Sequence, residues 1–166
     1  MYQVGELVMY GVHGVCRIAD VEEQTVDRKK VQYLVLEPKD QNSSRYLVPS
    51  GNPHAMAKLR PVLSAGELEA LLASPEVREN GWIPDENQRK QYYRDIIGSG
   101  DRLSLLRMVN TLHAHKLAQQ AAGRKVHLCD ENFLRDAQRL LSTEFSVVLG
   151  IDPGEVADYV IEKMNA

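Results

Sequence analysis

Hydrophobic and polar positions follow two different periods along this chain. In the opening run Val4-Gly5-Glu6-Leu7-Val8-Met9-Tyr10-Gly11-Val12-His13-Gly14-Val15-Cys16-Arg17-Ile18, apolar residues alternate at Leu7 and Met9 and resume at Val15 and Ala19, with Gly11 and Gly14 between them. A two-residue period broken by glycines predicts a hairpin of twisted strands. Strand signals continue over residues 15–26, 31–37 and 45–48, after a first strand at 6–10. The turns between them fall at Asp27-Arg28-Lys29-Lys30 and Asp40-Gln41-Asn42-Ser43-Ser44, residue types that favour turns over ladders. Strands this short at this spacing predict a five-stranded Tudor-like or SH3-like β-barrel over residues 1–61. Pro49, Pro53 and Pro61 mark its exit, since proline has no N–H for a ladder and restricts the residue before it.

From residue 62 to 166 the period becomes helical. Ser64-Ala65-Gly66-Glu67 is a capping box opening a short helix through Leu68, Leu71 and Leu72, which Pro75 closes. Asn80-Gly81-Trp82-Ile83-Pro84-Asp85 is a turn, and Asp85 caps a second helix running to about Ile97 before Gly98-Ser99-Gly100-Asp101 breaks and recaps the chain. Leu105, Leu106, Val109, Leu112 and Leu117 form the apolar stripe of a third helix ended by Gly123. Phe133, Ala137, Leu140, Leu141, Phe145 and Val148 do the same for a fourth, and Asp152-Pro153 starts a fifth with Val156, Val160 and Ile161. The expectation is α+β by domains: a β-barrel followed by an all-α helical domain.

Composition adds little to that picture: 43% hydrophobic and 26% charged residues in 166 are ordinary for a chain that folds without staples. Cys16 and Cys129 stand in different halves and form no spaced cluster, which with no signal peptide predicts free thiols in a reducing cytoplasm. No apolar run reaches the roughly 20 residues of a bilayer span. Charge changes the picture more. The formal net charge of -3 argues against gripping DNA by charge alone. The total hides segregation, however. Between Arg89 and Lys125 stand eight basic residues (Arg89, Lys90, Arg94, Arg102, Arg107, Lys116, Arg124, Lys125) against Asp95 and Asp101, a balance of +6. From Val126 onward three basic residues face eight acidic ones, a balance of -5. The basic middle can meet an anion, either as a phosphate contact or as a solvated helix face.

No catalytic constellation stands out: there is no phosphate-cradling glycine loop, no Gly-x-Ser-x-Gly elbow and no His-Glu-x-x-His, so the chain is expected not to be an enzyme and to need no cofactor. His113, His115, His127 and Cys129 are a set zinc would accept. Within one helix, however, residues two apart point roughly 200° away from each other, so His113 and His115 cannot share an ion. Trp82, the only tryptophan, reads equally well as a core anchor and as an exposed aromatic on a surface turn that something else stacks upon.

Three stretches resemble the CarD/CdnL family of bacterial transcription regulators, whose N-terminal module is shared with transcription-repair coupling factors. They are Val4-Gly5-Glu6-Leu7-Val8-Met9-Tyr10 with His13-Gly14; Tyr33-Leu34-Val35-Leu36 leading to Val48-Pro49; and Trp82 with Arg89 before Ser99-Gly100-Asp101. The resemblance implies a Tudor-like domain that docks on the RNA polymerase β subunit and a helical domain held against promoter DNA at the upstream edge of the transcription bubble, where a tryptophan acts as a wedge. It carries the wedge to Trp82 and backbone contacts to Arg89 and Lys90, with Arg94, Arg124 and Lys125 as further candidate cations. Polymerase contacts carry to Gln24, Thr25, Val26, Arg45 and Leu47, although Gln24 and Leu47 stand where relatives can have arginines, for which Arg45 is the substitute. Gly11 stands where relatives have proline, and the segment between Trp82 and Ser99 is longer than in relatives whose arginines follow the tryptophan directly. The resemblance implies a non-enzymatic cytoplasmic monomer, associated with the nucleoid through polymerase, that stabilises the promoter open complex without reading sequence. The alternative is a protein-interaction adaptor with a Tudor-like barrel, a buried Trp82 and no role at DNA.

Overall fold

The structure, a computed structural model, describes residues 2–39 and 44–166. The predicted turn at Asp40-Gln41-Asn42-Ser43 lies outside the described residues. The chain divides into two compact units, Met1–Val62 and Leu63–Ala166.

The first unit is a five-stranded antiparallel sheet of β1 (Leu7–Tyr10), β2 (Val15–Val26), β3 (Lys29–Pro38), β4 (Tyr46–Pro49) and β5 (Leu59–Pro61), in the order β4-β3-β2-β1-β5. Sequence reasoning located four of these and read Pro61 as marking the exit from the barrel. Pro61 instead lies within β5, opposite Val8. It is tolerated because β5 is an edge strand and a missing N–H can face outward there. A short helix α1 (Pro53–Met56) precedes β5; Asn52 caps it, accepting from the amides of His54 and Ala55. Val8, Cys16, Ile18, Leu34, Leu36, Val48 and Leu59 form the core of this unit. A bulge between Ile18 and Asp20 resets the β2–β3 register, bending β2 locally.

The opening motif has a local explanation. His13 stacks on Tyr10 with ring centroids 5.2 Å apart and lies 4.6 Å from Tyr46. Gly14 then adopts φ 83° and ψ -155°, a region essentially reserved for glycine, and returns the chain into β2.

β2 and β3 are joined by two residues, Asp27 and Arg28, at φ 49° and 64°. Such a type I′ turn matches the strand twist but favours glycine at its second position. A side chain in the left-handed region costs about 1–2 kcal/mol, so Arg28→Gly is expected to stabilise this unit by about 1 kcal/mol in chemical denaturation, net of the extra unfolded-state entropy.

The second unit contains α2 (Ala65–Ala73), a 3₁₀ turn (Pro75–Arg78), α3 (Glu86–Ser99), α4 (Arg102–Ala121), α5 (Leu128–Leu149) and α6 (Pro153–Met164). The boundaries follow the capping residues. Ser64 and Glu67 exchange both capping-box bonds. Asp85, Asp101 and Asp152 cap α3, α4 and α6, and Gly100 closes α3 in the left-handed conformation. Gly98 and Ser99 remain helical. The core is built on Leu68, Leu106, Val109, Phe145 and Met164, all fully buried. Leu117, expected in the α4 stripe, is 53% exposed.

Two buried acids hold this unit together from within. Glu144 of α5 accepts from Arg102 Nε at 2.7 Å and Nη2 at 2.6 Å, and from the Leu63 amide at 3.0 Å, fixing the first residue of the unit to α4 and α5. Asp130 is the second, and it belongs to the site below. Among the described residues no helix is long and apolar enough to cross a membrane.

Candidate functional site

Trp82 sits in the loop between the 3₁₀ turn and α3, half-buried against the helical core. The loop is fixed by its own backbone: the Trp82 amide donates to Asn80 Oδ1 at 3.1 Å, and the Gly81 amide donates to Thr111 Oγ1 of α4 at 3.3 Å.

Two side chains lie on the indole. The His115 imidazole of α4 stacks on it with centroids 3.5 Å apart and planes 12° from parallel. The Arg89 guanidinium carbon lies 4.4 Å from the ring centroid. At these distances the two would overlap on one face of the ring, so they occupy opposite faces and the indole is sandwiched. Stacking and cation–π attraction are each worth about 0.5–1.5 kcal/mol, enough to set the ring's orientation.

Arg89 is therefore not where sequence reasoning expected it. It was assigned to the DNA backbone, but it is only 3% exposed. Its Nε and Nη2 donate to the two Asp130 carboxylate oxygens at 3.0 and 3.3 Å, and its Nη1 donates to the Ile83 and Pro84 carbonyls at 3.0 and 3.3 Å. A guanidinium this deep needs a bidentate counter-ion and filled donors. Asp130 supplies the charge from the first turn of α5, where the helix dipole also favours a carboxylate. With its donors spent inward, Arg89 is a buttress for the Trp82 loop.

Burial pushes the His115 pKa below its ordinary value of 6.5; Asp130 opposes this, while Arg89 and His127 reinforce it. The stacked ring is thus neutral at pH 7. Since the fold favours the neutral form, the stack is complete above pH 6.5 and weakens as pH falls below that value. A fluorescence titration of Trp82 should show a transition with its midpoint below pH 6.5 that disappears in His115→Gln; a pH-independent emission would contradict the stack.

The remaining cations divide clearly. Lys90 pairs with Glu86 at 3.2 Å and Arg107 with Glu79 at 3.6 Å, so much of the basic segment is neutralised, with Arg89 and Arg102 taken up by acids of α5. Arg94, Arg124 and Lys125 are exposed and have no ion pair among the described residues. Lys90 and Arg94 stand four apart on α3 and share one face. Arg124 and Lys125 follow the end of α4.

Among the described residues no three of the side chains weighed for a metal are brought together. His115 is on Trp82, and the Cys129 thiol lies 3.7 Å from Glu86 Oε1.

The candidate polymerase residues lie on the sheet unit. Gln24, Thr25 and Val26 are exposed at the end of β2, opposite Val31, Lys30 and Lys29. Leu47 is 45% exposed and stands opposite Val35. Strand alternation puts Gln24, Val26 and Leu47 on one face and Thr25 on the other. Gln24 and Leu47 are separated by the four residue steps from Val31 to Val35, roughly 13 Å along β3. Arg45 shares the Glu37 carboxylate with Arg17, at 3.1 and 2.8 Å.

No local sequence signal pointed to Asp130 or to His115 as partners of Trp82. Asp130 lies 41 positions from Arg89 and was counted in the acidic end of the chain.

Residues 2–63 match the family model described as CarD-like/TRCF RID domain. That span coincides with the sheet unit and stops where the helices begin. No curated protein matches the chain. The match gives this unit a transcription-related, RNA polymerase-interacting role. The five-stranded N-terminal unit is thus a CarD-like/TRCF RID domain, matched over residues 2–63.

Proposed function

We propose that the protein is a non-enzymatic regulator of transcription initiation. In this reading the sheet unit docks on the polymerase β subunit through the face carrying Gln24, Val26, Arg45 and Leu47, while Thr25, on the other face of β2, contributes only through the strand end. The helical unit meets promoter DNA at the upstream edge of the bubble, and Trp82 stabilises the open complex there as a wedge. The observation that carries it is the indole itself: a large aromatic left half-exposed on a loop, with the anchored Arg89 guanidinium over its ring and His115 stacked on it. A ring that served only as packing would need no such clamp, whereas a wedge is more effective when its orientation is fixed before it meets DNA.

Backbone contacts fall to Arg94, Arg124 and Lys125, with Lys90 sharing its charge with Glu86. They hold phosphates without reading bases. So few free cations on a chain of net charge -3 give little affinity of their own. Attachment to polymerase supplies the rest, because a tether raises the local concentration to about the millimolar range. Open-complex lifetime, measured with the intact protein and with Trp82→Ala, tests this reading.

A further inference from the structure

Beside the Trp82–His115 stack lies a cleft of about 380 Å³, lined by Trp82, His115, Ala114, Thr111 and the amides Asn80, Asn110 and Asn165, together with Arg78 and Glu79, of which Glu79 is paired with Arg107. Its size is at the lower end of the roughly 300–1,000 Å³ of small-molecule sites, which suits one heterocycle and no length of duplex. We infer that this cleft receives a single unpaired nucleobase of the opened strand, which stacks on the indole face now covered by His115 and displaces that imidazole. The inference rests on the DNA-facing role proposed above and names what Trp82 meets there.

The two covers of the indole are held very differently. Arg89 is fixed by four hydrogen bonds, two of them to a buried carboxylate. His115 is half-buried and, apart from the stack itself, is held by a side-chain hydrogen bond between its Nε2 and Gln119 Nε2 at 3.2 Å. One face of Trp82 is thus permanently closed and the other is covered by a ring that can leave. That ring is a flat aromatic heterocycle lying 3.5 Å away and nearly parallel, the arrangement a base adopts on an aromatic platform. His115 stands in for the base.

The polar lining suits a base edge. Asn80 uses its side-chain oxygen on the Trp82 amide, which leaves both N–H donors of its amide group. Asn165 uses its amide N–H groups on Asn110 Oδ1 and the Ile161 carbonyl, which leaves its oxygen as an acceptor. Asn110 donates to the Val77 carbonyl and keeps a second N–H. Amide donors and acceptors around a flat slot recognise the exposed edge of an unstacked base.

The test uses the full chain and two forked duplexes with single-stranded ends, identical except that one has abasic sites at its first three unpaired positions. Affinity is read from Trp82 emission. Stacking is worth about 1–3 kcal/mol per base, so the abasic fork should bind roughly 5- to 150-fold more weakly. His115→Ala should tighten the intact fork and leave the abasic fork unchanged, because it removes the competing ring. Ala114→Phe, at an exposed position where the core is untouched, should fill the cleft and abolish the difference between the forks. Equal binding of the two forks, no response to either, or a His115→Ala variant that loses affinity for the intact fork would overturn the inference. If the forks bind alike while Trp82→Ala still shortens open-complex lifetime, the base receptor falls and the wedge stands. If the forks are distinguished while lifetime is unaffected, the receptor stands and the wedge falls.

Discussion

Asp130→Ala should destabilise the helical unit by about 3–5 kcal/mol, the usual cost of leaving one member of a buried ion pair behind. The loss is larger than that of a surface bridge because Arg89 is 3% exposed and has nowhere to go. Its positive charge would remain buried with the Ile83 and Pro84 carbonyls and the Trp82 ring as partners, and no counter-ion. Single domains are stable by only about 5–15 kcal/mol, so the variant would sit near its unfolding threshold. Denaturant unfolding followed by Trp82 emission reports on this unit alone, since the chain has no other tryptophan. Asp130→Asn keeps the shape and one acceptor and should fall between the two. Replacing both partners, Arg89→Met with Asp130→Leu, should recover most of the stability while freeing one face of the indole. A loss below about 1 kcal/mol for Asp130→Ala would mean that the pair is not the anchor described here.

How much of this was legible in the sequence depended on the range of the interaction. Features decided within four residues were readable. Ser64 and Glu67 announce a capping box, and Asp85, Asp101 and Asp152 announce helix starts, because a cap is a bond between near neighbours. The β2–β3 hairpin was readable from a charged turn, although the turn itself is only Asp27 and Arg28. β5 was not, because a three-residue strand ending in proline carries no period and exists only by pairing with β1, some fifty residues earlier. Leu117 fits the helical stripe of α4 but lies near its end, where no neighbouring helix covers it among the described residues.

The site shows the same division. Trp82 was identifiable as unusual from its turn, but whether its ring was packed or presented depends on residues 33 and 7 positions away, His115 and Arg89. The segregation of basic and acidic stretches suggested a cationic face. In the fold the acids of α5 reach back to neutralise Arg89 and Arg102, so what sequence counting gives as a basic patch is in part an internal salt-bridge network. Charge counted along a chain becomes surface charge only where no opposite charge packs against it.

Trp82→Ala should leave polymerase binding intact, because the residues assigned to docking lie on the other unit, and should shorten the life of the open complex. A wedge fills the gap left by an unstacked base step, and unstacking costs a few kcal/mol. Removing the ring should therefore return about 1–3 kcal/mol to reannealing, roughly a 5- to 150-fold loss of the lifetime that the protein adds. The buttress makes a graded companion prediction: a folded variant that keeps the ring but loses the Arg89 side chain, such as Arg89→Met with Asp130→Leu, should retain part of the effect, since orientation and not contact area is what Arg89 supplies.

The central claim is tested most directly by the dissociation rate of open complexes on a single promoter. It would be measured with the cognate polymerase alone, with the intact protein and with a folded, polymerase-binding Trp82→Ala variant. The account predicts a longer lifetime with the intact protein that the variant fails to reproduce. Equal lifetimes for the intact protein and the variant would contradict it and favour an adaptor whose helical unit binds another protein.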